Sequence, residues 1–278
     1  MGKMKIAYLG PPGTYSHILA IKRFGHRHHL VPFPSITETC TYVEKHHGSI
    51  GIVPIENSSG GAIHETVDIL INYEPKVHII EELSLNVRLA LLGHKGEKIK
   101  TLYSHFAPLE HSAKWIKRHL PHVVKQIVSS TALAAQRASE EPTSAALGSR
   151  NLASMYGLDI LHYPIEADVP NITTFLCISS KPLSLTSSRS NKMTVVVHLP
   201  NKPGSLCTLL EVFKEESVNL TRLISRPIRG LPREYAFLID LDGSLPQENV
   251  RRAISKAKKV CERFRIAGCF NSRPPYTS

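Results

Sequence analysis

Residues 49–61 read SIGIVPIENSSGG, and this stretch decides the fold class. The apolar run from Ile50 to Ile55 suits a buried strand, and it leaves into a polar, glycine-rich turn. The stretch that follows, AIHETVDIL (62–70), places Ile63, Val67 and Leu70 three to four residues apart, which is the stripe of a helix. Strand, polar turn and helix together make one α/β unit.

The unit recurs upstream and downstream. KIAYLG (5–10) is a strand that runs into PPGTYS, a turn that starts a helix. NVRLALLG (86–93) and KTLYS (100–104) read as strands. PLEHSAKWIKRHL (108–120) reads as one helix with Leu109, Ala113 and Ile116 on a face. SSTALAAQRAS (129–139) is an alanine-rich helix capped by Ser130. TSAALGSRNLASMYG (143–157) reads as another helix, stopped by Gly157. LDILHY (158–163) and ITTFLCIS (172–179) close the series as strands. Such alternation predicts an α/β sheet with largely parallel strands. In such sheets ligands bind beyond the carboxyl ends of strands, where helix N-termini gather. The polar exits GPPGTYS, ENSSGG and YSHF, with the helix-opening SSTALAA, are the expected pocket walls. Thr14, Ser16, Ser130 and Thr131 each suit both a helix cap and such a wall.

KPLSLTSSRSN (181–191) is rich in Pro and Ser and lacks periodicity, so a linker is expected there. Beyond it come strand MTVVVHL, helix SLCTLLEVFKEE, strands VNLTRLISRP and EYAFLIDLDG, helix PQENVRRAISKAKK and strand VCERFRIAGCF. The order βαββαβ is the ferredoxin-like arrangement.

Composition excludes several classes. No run of about 18 apolar residues exists to cross a membrane as a helix, and the start lacks a secretory signal. Met1-Gly2 is not read as a myristoylation site, because Ile6 stands where Ser or Thr is required. Five cysteines (Cys40, Cys177, Cys207, Cys261, Cys269) without a C-x-x-C pair point to reduced thiols and a cytoplasmic location. The fifteen histidines, including His26, His28 and His29, form no zinc signature, so no metal is expected. The net charge of +11 is spread along the chain, which fits collection of small anions rather than dedicated nucleic-acid binding.

The stretches YLGPPGTYS, GIVPIENSSGG, LYSH, STALAA, YGL and NITTF, followed by PGSL, VNL and SRP, resemble a bacterial prephenate dehydratase with a C-terminal ACT regulatory domain. The resemblance covers roughly residues 4 to 272. It implies a catalytic domain at 4–180 built of two α/β subdomains, like a small periplasmic binding protein, with the active site between them. It further implies a linker at 181–191 and a ferredoxin-like ACT domain at 192–272. The ACT domain would pair with its copy in a homodimer or tetramer, and L-phenylalanine would bind there and inhibit. The implied reaction is loss of water and carbon dioxide from prephenate to give phenylpyruvate, with no cofactor and no nucleic-acid or membrane partner.

Prephenate carries two carboxylates and a hydroxyl that must leave, so the pocket needs hydrogen-bond donors and a positioned acid. In the family that acid is the threonine of N-x-T-R-F, which is Thr173 here, preceded by Asn171. Glu56, Asn57 and Ser58 match E-N-S, and Ser104 and His105 open the S-H-P-Q-A-L stretch. Thr14, Ser104, Ser130, Thr131 and Thr174 complete the expected substrate wall. In the ACT domain Gly204, Ser205 and Leu206 match the effector loop, usually G-A-L. Asn219, Leu220, Ser225, Arg226 and Pro227 match the rest of the effector site.

Four departures stand out. The arginine of T-R-F is Thr174, which removes a cation that would meet a carboxylate, with Arg88 and Arg150 as candidate replacements. The I-Q-D stretch is Ile165-Glu166-Ala167, with Asp168 one place on. S-H-P-Q-A-L is SHFAPL. The acid before S-R-P is Ile224, which removes a partner for the effector's ammonium group. These changes open two further readings: a dehydratase acting on arogenate or another cyclohexadienyl substrate, or a catalytically weak homologue that only binds an aromatic amino acid.

Overall fold

The computed structural model describes residues 3–72, 76–166, 170–183, 191–228, 230–231 and 233–278. The first subdomain holds β1 (Lys5–Leu9), α1 (Tyr15–Phe24), β2 (His29–Phe33), α2 (Ile36–Lys45), β3 (Ile50–Asn57), β4 (Gly61–Ala62), α3 (His64–Ile71) and β5 (His78–Asn86). The second holds β6 (Ala90–Gly93), β7 (Thr101–Ser104), α4 (Phe106–His111), α5 (Ala113–His119), β8 (Val124–Ile127), α6 (Thr131–Glu140), β9 (Ser144–Gly148), α7 (Asn151–Tyr156) and β10 (Asp159–His162). The chain then returns to the first sheet as β11 (Ile172–Ser179). The third unit is β12 (Lys192–His198), α8 (Ser205–Glu215), β13 (Leu220–Pro227), β14 (Tyr235–Asp242), α9 (Glu248–Val260) and β15 (Arg263–Ser272), followed by β16 (Tyr276–Thr277).

The two-subdomain α/β class is as expected, but the sheets are mixed rather than largely parallel. β1 pairs in parallel with β2 and β3, whereas β11 inserts antiparallel between β3 and β5. The second sheet runs β10-β6-β9-β7-β8, with β6 antiparallel to both its neighbours. Antiparallel pairing follows from the crossing between subdomains: the chain leaves the first sheet at Asn86 and re-enters it at the same end, with Ile172 opposite Asn86, so β11 runs reversed.

Three elements differ from their sequence reading. The strand expected at 86–93 is two strands of different sheets, β5 ending at Asn86 and β6 beginning at Ala90. The crossing itself is buried, with Val87 6% and Leu89 2% exposed, so hydropathy does not mark the break. The helix expected at 108–120 breaks at Ser112, whose φ of −117° and ψ of 19° leave helical geometry between α4 and α5. The helix expected at 143–157 is strand β9 followed by the short α7, which Gly157 does end in a left-handed conformation. Here close packing overrides helix propensity. Ala146 of β9 lies in one buried cluster with Ala134, Ala135 and Ala138 of α6, where small side chains bring helix and sheet together.

The third unit has strand order β13-β14-β12-β15 with antiparallel pairing, the ferredoxin-like topology. One face of this sheet packs on α8 and α9 through Val195, Val197, Leu209, Phe213, Ile239 and Ile254. The other face supplies Val196, Leu238 and Phe270 to a core shared with α2, α3 and Leu176 of β11. β15 also runs parallel beside β5, with Asn271 opposite Glu81. The segment after β15 continues along the same edge: Tyr276 pairs with Leu85 and Thr277 with Asn86. Ser278 then meets both subdomain crossings, accepting from the Arg88 amide at 2.7 Å through Oγ and from the Tyr163 hydroxyl at 3.1 Å through its carbonyl. The sheet of the third unit and that of the first subdomain are therefore continuous in hydrogen bonding.

Candidate active site in the cleft

The antiparallel insertion of β11 brings its start beside the end of β3. Thr173 stands opposite Asn57, and Thr174 opposite Glu56. Because side chains alternate along a strand, the two members of each pair share a face and the two pairs face opposite ways.

On the first face a chain of hydrogen bonds forms. Asn57 Nδ2 donates to Thr173 Oγ1 and to Asn171 Oδ1, both at 2.9 Å. Asn57 Oδ1 accepts from the Ser59 amide at 2.9 Å and the Gly60 amide at 3.0 Å. Asn171, 7% exposed, places its Nδ2 2.9 Å from Nδ1 of His111 on α4 of the second subdomain. The Asn57 amide is thus saturated. Thr173 accepts one bond through its oxygen and keeps its own hydrogen to donate. Ser58 serves the local backbone, accepting from the Ile172 amide at 2.9 Å and donating to the Pro170 carbonyl at 2.8 Å.

The other expected wall residues sit at strand exits and helix starts. Thr14 caps α1: its hydroxyl donates to the Leu9 carbonyl at 2.9 Å and accepts from the His17 amide. Ser16 is buried in α1 at 4% exposure. Gly13 has φ +91°, and a Cβ there would stand 2.6 Å from Leu152 Cδ2, because this loop abuts α7 of the opposite subdomain. Ser130 caps α6 by accepting from the Leu133 amide at 3.1 Å, which leaves half-buried Thr131 as the first helical residue. Ser104 is fully buried and donates to the His105 carbonyl. His105 caps α4 through Nδ1. Burial lowers the pKa of His105, and that of His111 as well, where Glu110 pulls the other way. Of the candidate cations, Arg150 lies 5.2 Å over the Tyr163 ring, and Arg88 is exposed. Glu166 is exposed, and Ala167 and Asp168 lie outside the described residues.

On the opposite face the structure places a cation that sequence reasoning missed. Arg222 of β13 reaches across from the third unit to Glu56 Oε2 at 2.9 Å, Glu82 Oε2 at 3.4 Å and Asp240 Oδ2. Its side chain is 7% exposed. Glu56 is on β3 and Glu82 on β5, the two strands flanking β11, so the guanidinium spans β11 beside Thr174. Lys192 joins the cluster, 2.8 Å from Glu82 and 3.5 Å from Asp240. Burial raises the pKa of the Asp240 carboxyl against the pull of Arg222 and Lys192. Burial also opposes ionisation of Glu82, but Lys192 and its other partners hold it below the usual carboxylate range.

The residues expected to bind an effector divide similarly. Gly204, with φ +85°, opens α8, and Leu206 packs on the core of the third unit. Ser205 Oγ is buried without a hydrogen-bond partner. Asn219 donates to Asp242 at 2.7 Å, just before Leu220 starts β13. Along β13, Arg222, Ile224 and Arg226 are half-buried, while Leu223, Ser225 and Pro227 are exposed. Arg226 makes a bidentate pair with Asp68 of α3 at 2.6 and 2.9 Å. Ile224 packs against the core shared by the two units.

A sequence model of the prephenate dehydratase family matches residues 6–183, and one of the ACT domain matches residues 193–259. The chain belongs to the prephenate dehydratase family. It is a carbon–oxygen lyase joined to an ACT domain. A bifunctional chorismate mutase/prephenate dehydratase of Aquifex aeolicus is 33% identical over 96% of this chain and 74% of its own length. The crystal structure of a prephenate dehydratase from Arthrobacter aurescens in complex with L-Phe superposes with a TM-score of 0.86. It is 28% identical and is covered over 90% of its length and 97% of this dehydratase. GqqA, described as a novel type of quorum-quenching acylase, also gives a TM-score of 0.86, at 25% identity over 98% of its length and 97% of this one. Among the described residues no group of His, Cys, Asp and Glu is placed to hold a metal, and no helix is long and apolar enough to cross a membrane.

Proposed function

We propose that the dehydratase reaction runs at Thr173, with the substrate in the cleft between the two subdomains. The observation that supports this reading is the 2.9 Å bond from Asn57 Nδ2 to Thr173 Oγ1, which occupies the oxygen as an acceptor and leaves the hydroxyl hydrogen to donate. As the C1 carboxylate of prephenate leaves as carbon dioxide, its electron pair enters the ring and the C4–O bond breaks. The departing oxygen takes a hydrogen bond from Thr173 and, with one proton, leaves as water; phenylpyruvate remains. Thr173 acts by stabilising charge on that oxygen, because a free threonine hydroxyl is far too weak an acid at neutral pH. Donors at the helix starts, Thr131 and the adjoining amides of α6 among them, receive the substrate carboxylates.

L-phenylalanine is the regulator we assign to the ACT domain, supported by the L-Phe complex of the Arthrobacter aurescens enzyme. The edge strand β13 presents its unpaired side and exposed Leu223 to a second copy of the chain, forming a homodimer or a tetramer. A cytoplasmic location agrees with five unpaired cysteines. The domain limits we assign are 4–180 and 192–272 with a linker at 181–191, of which residues 184–190 lie outside the described residues.

Purified protein given prephenate or arogenate is expected to form phenylpyruvate from the first at least about tenfold faster than phenylalanine from the second. Faster turnover of arogenate would reassign the substrate, and no turnover of either would leave a binding protein. The likeness to an acylase makes product identification the necessary readout. Calorimetry with L-phenylalanine is expected to show saturable binding below millimolar concentration. Its absence would mean that Ser205 and Ile224 have abolished the effector site.

A further inference from the structure

We propose that His111 is a positioning residue for the dehydratase reaction, reaching from the second subdomain to fix, through Asn171 and Asn57, the direction in which Thr173 offers its proton. The inference deepens the assignment of Thr173 made above and rests on it.

The direction of the whole chain of bonds follows from two backbone amides. Ser59 N and Gly60 N both point at one atom of the Asn57 side chain, so that atom must be the oxygen. Its Nδ2 therefore faces Asn171 and Thr173 and donates to both. The atom of Asn171 that meets this donor must be Oδ1, so its Nδ2 faces His111. At 2.9 Å from that nitrogen, His111 Nδ1 must carry a lone pair. The network thus assigns the neutral imidazole with its proton on Nε2.

The alternative arrangement is closed off. A proton on His111 Nδ1 would oppose the Asn171 amino group, and flipping Asn171 would oppose the amino group of Asn57. Flipping Asn57 in turn would set an amino group against two backbone N–H groups. Protonation of His111 is therefore paid for by breaking the chain that orients Thr173. His111 is 7% exposed, and burial alone already disfavours its cation. Glu110 of its own helix favours the cation, while Asn171, facing it from just before β11, is uncharged. The bond also joins α4 of one subdomain to the strand entry of the other, so the threonine is oriented when the two subdomains are together.

The test uses His111→Gln, His111→Leu and Thr173→Val in the full chain, with kcat, KM and the pH profile of phenylpyruvate formation. Glutamine supplies a carbonyl acceptor that does not titrate. The Gln variant is expected to keep kcat within about threefold and to lose the acid limb, which in the native enzyme lies below the ordinary histidine range. Leucine leaves the Asn171 amino group without an acceptor, and kcat is expected to fall about ten- to a hundredfold with KM little changed. Native kcat and an unchanged acid limb in the Leu variant would overturn the inference. So would a Gln variant that folds yet loses as much activity as Leu or retains the acid limb. If the Leu variant does not fold, the Gln profile decides. An active Thr173→Val variant would remove the threonine assignment itself, whereas an inactive one beside an unaffected Leu variant would remove only the role of His111.

Discussion

Thr173→Val is expected to lower kcat for phenylpyruvate formation by about 10²- to 10⁴-fold while leaving the protein folded. The estimate combines the usual worth of a positioned proton donor with that of a preorganised donor to developing charge. Valine keeps the β-branched shape that suits a strand, and the backbone pairings to Asn57 and Leu85 do not involve the hydroxyl. One Asn57 hydrogen loses its acceptor, yet the other still reaches Asn171, so the neighbours retain their arrangement. KM should change little, because the lost interaction strengthens as the C4–O bond breaks. Thr173→Ser restores the hydroxyl on a less constrained side chain and should recover much of the rate. The check is steady-state kinetics beside a thermal unfolding curve. A folded valine variant within tenfold of native kcat would mean that another group meets the leaving oxygen.

Much of the architecture was legible because the strand exits advertise themselves. GPPGTYS and SSTALAA each place a capping side chain where a helix starts, and Thr14 and Ser130 do cap α1 and α6, whereas ENSSGG leads through β4 to α3, which no side chain caps. What periodicity did not reveal was which exits meet. Asn57 and Thr173 touch because β11 enters the first sheet antiparallel, and that reversal depends on a buried crossing at Val87–Leu89 that looks like more strand. His111 was hidden for a related reason. A continuous helix over 108–120 gives no cause to single it out, whereas the break at Ser112 ends α4 at this residue.

Thr174 shows the same limit from another side. Its departure from the family pattern was plain in the sequence, and the expectation was that a cation from the catalytic domain would take over. Thr174 instead shares its face with Glu56, away from Thr173. The cation that fills this face is Arg222, which belongs to the ACT sheet. Glu56, read as a substrate-wall residue from its motif, is held by that arginine. Nothing in a linear reading couples positions 56, 82, 222 and 240; sheet register alone brings them together.

That cluster carries the second large expectation. Arg222→Met is expected to destabilise the protein by about 3–5 kcal/mol, the usual result of removing one partner from a buried ion pair. Asp240 is fully buried and Glu82 is 4% exposed, so neither can recover hydration when the guanidinium goes. Lys192 still reaches both carboxylates, which places the loss toward the lower end. The sign of the pH dependence distinguishes this cause from simple loss of packing. Burial holds the folded-state pKa of Asp240 above its unfolded value, so its charge is a penalty on folding at neutral pH that protonation relieves. Without Arg222 that penalty grows, and the variant's deficit should shrink as pH falls toward the acid range. Arg222→Met combined with Asp240→Asn should recover part of the loss at neutral pH. By contrast, Arg137→Ala removes a pair whose side chains are 56% and 50% exposed, and should cost under about 1 kcal/mol. Urea unfolding at several pH values measures all three. A deficit that is flat with pH would show that the aliphatic stem of Arg222, rather than its charge, holds the ACT sheet to the strands bearing Asn57 and Thr173.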